Sequence, residues 1–168
     1  MLRKITDMST KTLFTNALGM KLDVLRVAEQ IAGFMKDDQI WRYKVVIGSD
    51  SEGKNGASPD FVTAIVVHRV GNGGRYFWRR VEFDRFFSFH DRIIQEVVLS
   101  LESAKEVLAR LEALRVPLFD LEIHVDVGEN GETKSMMQEV LGMVRAYNFE
   151  ARTKPDSYAA TKVADRHV

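Results

Sequence analysis

The sequence predicts an α/β domain built around one mixed β-sheet, partly antiparallel and partly parallel. Two observations predict it. After a leading helix the segments run β-β-β-α-β-α-β-α, a hairpin meander followed by strand and helix in alternation. The apolar spacing also switches from the period of strands to that of helices near residue 88. A chain of 168 residues is long enough for one domain with a substantial core.

Residues 1–20 are polar and mixed, without a period, and are expected to form a loosely held arm. Over 21–36, Leu22, Leu25, Ala28, Ile31, Ala32 and Met35 fall on one face of an amphipathic helix. Residues 43–50 form the first strand, and the turn formers of 52–59 make the loop after it. Two strands, 61–69 and 75–83, flank Gly71-Asn72-Gly73-Gly74, where Asn-Gly suits the positive φ of a hairpin turn. From 88 to 114 a helical stripe carries Ile93, Val97, Leu101, Ala104, Leu108 and Leu111, and Pro117 closes it. Strand four spans 121–127. Thr133 is expected to cap a helix bearing Met137, Val140, Leu141 and Val144. Residues 149–153 form a short fifth strand, and Pro155-Asp156 opens a last helix to about 166.

Composition removes several classes of function. With no cysteine, disulfides and thiolate-ligated zinc are excluded. No apolar stretch approaches the ~20 residues of a membrane helix, and no apolar signal core follows the basic Met1-Leu2-Arg3-Lys4, so a cytoplasmic protein is expected. The 24 basic and 24 acidic side chains cancel, against bulk electrostatic coating of DNA. A local basic rim is still open, because Arg69, Arg75, Arg79, Arg80, Arg85 and Arg92 fall in one stretch. Charge alone reads that stretch equally as a solvated hairpin face. Nothing in the sequence fixes an oligomeric state.

Two apolar runs end in an aspartate beside Gly or Ser: Val45-Val46-Ile47-Gly48-Ser49-Asp50-Ser51 and Ile123-His124-Val125-Asp126-Val127-Gly128. Each aspartate alone reads as a strand-ending Asx turn. If strands one and four are neighbours, the two carboxylates share the crevice at the strand ends that ligands favour in open α/β sheets. Converging carboxylates repel unless a cation lies between them, and hard oxygen ligands suit Mg²⁺ or Mn²⁺. Glu96 borders the apolar stripe in Arg92-x-x-x-Glu96-x-x-x-Ser100-x-x-x-Ala104. It is either one half of an Arg92–Glu96 pair worth ~0.3–0.5 kcal/mol, or a third acid carried to the aspartates where Ser100 and Ala104 let the helix approach the sheet. Asp156 suits an N-cap, whereas Asp165 sits near a helix C-terminus, where the dipole disfavours a carboxylate, hinting at a partner. His124 shares a strand face with Asp126 and is a candidate to position a phosphate or water. Lys134 and Lys154 flank the crevice, suited to phosphate oxygens or simply solvated. The loop from Gly128 to Lys134 fails the P-loop spacing, which leaves phosphotransfer the least supported chemistry.

Together, Ile47-Gly48-Ser49-Asp50-Ser51, Arg92-x-x-x-Glu96-x-x-x-Ser100, Ile123-His124-Val125-Asp126-Val127-Gly128 with Thr133-Lys134, and Lys154-Pro155-Asp156-Ser157-Tyr158-Ala159-Ala160 with Ala164-Asp165 resemble the YkuK family of predicted RNase H-like nucleases. The resemblance runs from about residue 40 to the end. It implies an RNase H-like five-stranded sheet over 41–168, with 1–40 as an N-terminal arm and helix. It also implies a catalytic and metal-binding set of Asp50, Glu96, Asp126 and Asp165, Asp156 being the rival for the fourth place. Pairs of Mg²⁺ or Mn²⁺ ~3.5–4 Å apart would then activate water and steady the departing 3′ oxygen. Ser49, Ser51, His124, Lys134, Lys154 and Asp156 are the expected substrate contacts, and RNA, DNA or a hybrid the expected partner. Because a fold outlives its reaction, the alternative is an inactive module that binds nucleic acid or protein.

Overall fold

The computed structural model describes residues 13–52, 59–85 and 87–158. Seven strands form one sheet among these residues: β1 (Phe14–Asn16), β2 (Lys21–Leu22), β3 (Tyr43–Glu52), β4 (Asp60–Arg69), β5 (Gly74–Glu82), β6 (Phe119–His124) and β7 (Glu150–Arg152). The spatial order is β2-β1-β5-β4-β3-β6-β7. The meander β3–β4–β5 is antiparallel, while β6 pairs parallel with β3 and β7 parallel with β6. Strands one and four of the predicted order are therefore neighbours, in the mixed sheet expected.

The sheet has two strands more than the five expected: β1 comes from the segment read as a loose arm, and β2 takes the first two residues of the expected helix over 21–36. Thr15 and Asn16 pair with Trp78 and Phe77, extending the sheet beyond β5. Strands of three and two residues are too short to show a period, so packing and turn chemistry hold them. Phe14 is fully buried, with the Arg79 guanidinium 4.7 Å above its ring. The Asn16 side chain accepts from the amides of Leu18 and Met20, and Gly19 takes the positive φ that closes the turn. In the β4–β5 hairpin the positive φ values fall on Gly71 and Gly73 rather than on Asn72.

Three helices pack on one face of the sheet among the described residues: α1 (Val24–Asp37), α2 (Phe89–Ala113) and α3 (Met137–Ala146). Asp23 caps α1 by accepting from the Arg26 amide, so this helix starts three residues later than its apolar stripe suggested. Ser88 caps α2 by accepting from the Asp91 amide. The inward residues Val45, Ile47, Ile65, Val67, Phe77 and Ile123 join Ile31, Met35, Val97, Leu101 and Val140 in one apolar cluster. Each such side chain contributes roughly 1.5–3 kcal/mol by leaving water. Thr133 caps no helix; its hydroxyl accepts from the Gly128 amide, and a 3-10 turn, Lys134–Met136, leads into α3. The predicted last helix begins in a turn, with the Asp156 amide bonded to the Thr153 carbonyl, and residues 159–168 lie outside the described residues. No helix among the described residues is long and apolar enough to cross a membrane.

Candidate functional site

Strand β3 and helix α2 meet through hydroxyls where the aspartates emerge. Ser100 donates to the Glu96 carbonyl, so its proton is committed and it accepts from Ser49; Ser49 in turn accepts from Thr63. Each hydroxyl has one proton, which forces that order. The links Thr63–Ser49 and Ser49–Ser100 are both 2.8 Å, so the small residues do let α2 approach the sheet.

That approach places Glu96 beside the strand ends. The last paired positions of β3 and β6 are Gly48 and His124, and Asp50 and Asp126 lie two residues beyond them. Glu96 does not pair directly with Arg92. Instead the Ser51 hydroxyl donates to Glu96 Oε1 at 2.6 Å, and the Arg92 guanidinium donates to the Ser51 hydroxyl and carbonyl. Glu96 is only 5% exposed. Burial pushes its carboxyl up to about 8; the Ser51 bond and Arg92 oppose the rise, and the negative charges of Asp50 and Asp126 add to it. A narrow crevice here is lined by Ser49, Glu96, Ser100, His124 and Asp126.

Asp126 Oδ1 is buried and receives no hydrogen bond, although the Lys154 ammonium lies 2.9 Å away as an ion pair. The separation is right and the angle is not, so the pair neutralises charge without satisfying the oxygen. Oxygen donors of this kind suit a hard divalent cation, and an orphaned carboxylate oxygen facing an ammonium marks a place where a cation is favoured. As the side chains stand, no three His, Asp or Glu among the described residues are grouped to hold a metal ion. The three acids share one end of the sheet, but Glu96 is turned to Ser51 and Asp126 to Lys154.

The other expected residues divide. Ser49 is 2% exposed with its hydroxyl committed, and Ser51 bridges Arg92 to Glu96. Lys134 is exposed in the 3-10 turn, and Asp156 is exposed in the turn after β7. Asp165 lies outside the described residues. His124 Nδ1 accepts from the Tyr158 amide, so Nε2 carries the proton and donates to Glu122. The expected basic rim is largely engaged in structure. Arg69 and Arg75 stack on Phe34, Arg79 is buried against Ser103, Arg80 pairs with Asp60, Arg85 stacks on Phe87, and Arg92 holds Ser51.

One cluster escaped the sequence reading. On the face opposite the helices, buried Glu122 meets Lys44 at 2.9 Å, His124 Nε2 at 3.0 Å and Arg152 Nε at 3.3 Å. Burial opposes its ionisation, but the His124 and Lys44 bonds and the Lys44 and Arg152 charges hold it down at about 2. The signal was present in Glu122 and His124, two polar residues alternating with Leu121, Ile123 and Val125 inside a strand. The Tyr158 ring packs on His124 at 4.5 Å, so this cluster also pins the chain just before residues 159–168.

A β5-β4-β3-β6-β7 core, antiparallel then parallel, with acids at the ends of its two central neighbours and on the helix across them, defines a ribonuclease H-like α/β protein. Residues 26–168 match the Ribonuclease H-like family, to which this chain belongs. The chain is similar to YkuK, an uncharacterized protein of Bacillus subtilis (strain 168). The two are 30% identical over 170 residues, covering 95% of this chain and 98% of that protein. No solved structure matches the chain.

Proposed function

We propose that this protein is a divalent-cation-dependent nuclease that hydrolyses phosphodiester bonds of RNA or DNA. Asp50, Glu96 and Asp126 are its carboxylate set, and Asp165 is the fourth acid, ahead of Asp156. The observation that carries this reading is Glu96 itself: a glutamate buried on α2, raised to about 8 by burial and by the two strand-end aspartates. Stability alone gives no reason to gather three acids where one must stay protonated; a site meant for positive charge does. Mg²⁺ or Mn²⁺, when bound, would lower the pKa of a water and neutralise phosphoryl charge. The protein's own part is to hold the acids at fixed strand ends, with the Thr63–Ser49–Ser100 chain setting the helix distance and Ser51 orienting Glu96.

Purified protein should cleave labelled RNA, DNA or hybrid in Mg²⁺ or Mn²⁺. Asp126→Asn should slow cleavage about 10²–10³-fold, the several kcal/mol expected when a cation ligand is lost. Wild-type rates in Asp126→Asn, or no cleavage of any of these substrates, would reject the reading. One observation favours the alternative of a non-catalytic nucleic-acid or protein-binding module: among the described residues, Asp50, Glu96 and Asp126 as placed form no ready group for an ion. That module would bind its partner without a divalent ion and tolerate Asp50→Asn.

A further inference from the structure

We propose that Lys154 is a tethered counter-cation of the carboxylate site, whose ammonium sets the concentration of divalent ion at which the site fills. This rests on the cation site proposed above. Lys154 is held from three directions. Its backbone amide donates to the Val127 carbonyl at 2.8 Å. Its stem lies on Gly128, so closely that a Cβ there would stand 3.2 Å from Lys154 Cβ and 3.7 Å from Cδ. Its ammonium ends 2.9 Å from Asp126 Oδ1. The backbone bond fixes where the side chain starts, and the glycine seat and the carboxylate fix where it runs.

The pair is built to be displaced. The Lys154 side chain is about half exposed, and Asp126 Oδ1 gains no hydrogen bond from the ammonium. Half-exposed pairs are weak, so a divalent ion offering a shorter, more highly charged contact outcompetes the ammonium. The backbone tie to Val127 keeps the displaced lysine beside the site, where it faces an incoming phosphate. Lys154 is thus a positioning residue: it keeps Asp126 compensated until an ion arrives.

The test is Mn²⁺ binding by titration calorimetry, with free Mn²⁺ followed by electron paramagnetic resonance, on the full chain without substrate. Lys154→Met keeps the stem over Gly128 and removes the charge, and should tighten Mn²⁺ binding roughly fivefold, the upper worth of such a pair. Lys154→Gln should do the same, whereas Lys154→Arg should stay within about twofold of wild type, because the competing charge remains. Equal or weaker binding in both neutral variants overturns the proposal while leaving the cation site intact. If wild type and both variants bind no Mn²⁺, the nuclease reading falls and this inference with it. A merely structural lysine would shift the melting temperature and leave Mn²⁺ affinity unmoved.

Discussion

Glu122→Ala should cost about 3–5 kcal/mol of folding stability, the penalty typical of breaking a buried charge network from one side. The carboxylate is 3% exposed and serves three donors: Lys44, His124 Nε2 and Arg152. Without it the partly exposed Lys44 and Arg152 lose their shared counter-charge, and the buried His124 N–H loses its acceptor. Glu122→Gln, which still accepts from His124 but carries no charge, should fall between wild type and Ala. The pH dependence has a defined sign. The folded carboxyl titrates at about 2 against an ordinary value of 4.5, so its contribution is full above about 4.5 and is lost as pH falls towards 2. Urea denaturation of the three proteins at pH 7 and pH 3 measures both effects. A loss below about 1 kcal/mol at pH 7 would mean that the network is no stronger than a surface pair.

Glu96→Gln should have the opposite sign: it should stabilise the protein at alkaline pH. The folded carboxyl sits at about 8, above its ordinary 4.5, so between these values the folded state holds a proton that the unfolded state has released. Stability therefore falls as pH rises from about 4.5 and levels off above about 8. At ~1.36 kcal/mol per unit the span amounts to something on the order of 5 kcal/mol. Gln accepts the Ser51 hydrogen bond without ever charging, so the variant should lack this slope and exceed wild type at pH 9. Parallel stability curves from pH 5 to pH 9 would show that Glu96 is not held protonated by its burial and the neighbouring aspartates. On the proposed nuclease reading the same substitution should also slow cleavage, so stability and activity would move in opposite directions.

Much of the fold was legible because its signals are local. The stripe of Ile93, Val97, Leu101 and Leu111 marks α2, and the β-branched runs around Val45–Ile47 and Val62–Val67 mark β3 and β4. The pairing of β3 with β6 is decided by packing, because element order along the chain leaves their adjacency conditional. The β1–β2 hairpin was not legible, because Phe14 and Leu22 acquire meaning only against a core assembled from distant segments. Within the Arg-rich stretch, whose Arg75, Arg80 and Arg85 are exposed as a surface reading expects, Arg79 was not legible for the same reason. Arg79 looks like surface charge in the sequence, yet it lies over Phe14 and donates to Ser103, inside the molecule.

By itself the sequence determined the α/β class, the order of elements along the chain, and the delivery of Asp50 and Asp126 to strand ends, with Glu96 on a helix and two readings open for it. All of these follow from periodicity and from turn-forming residues within a few positions. Only the tertiary structure decided the partners. Glu96 turns to Ser51 rather than Arg92, Lys154 settles on Asp126, and Glu122 collects Lys44, His124 and Arg152. The reason is physical: a buried charge takes whichever counter-charge the packed sheet brings within about 3 Å, and that depends on strand register and on the seat each residue finds, neither of which is written in local spacing.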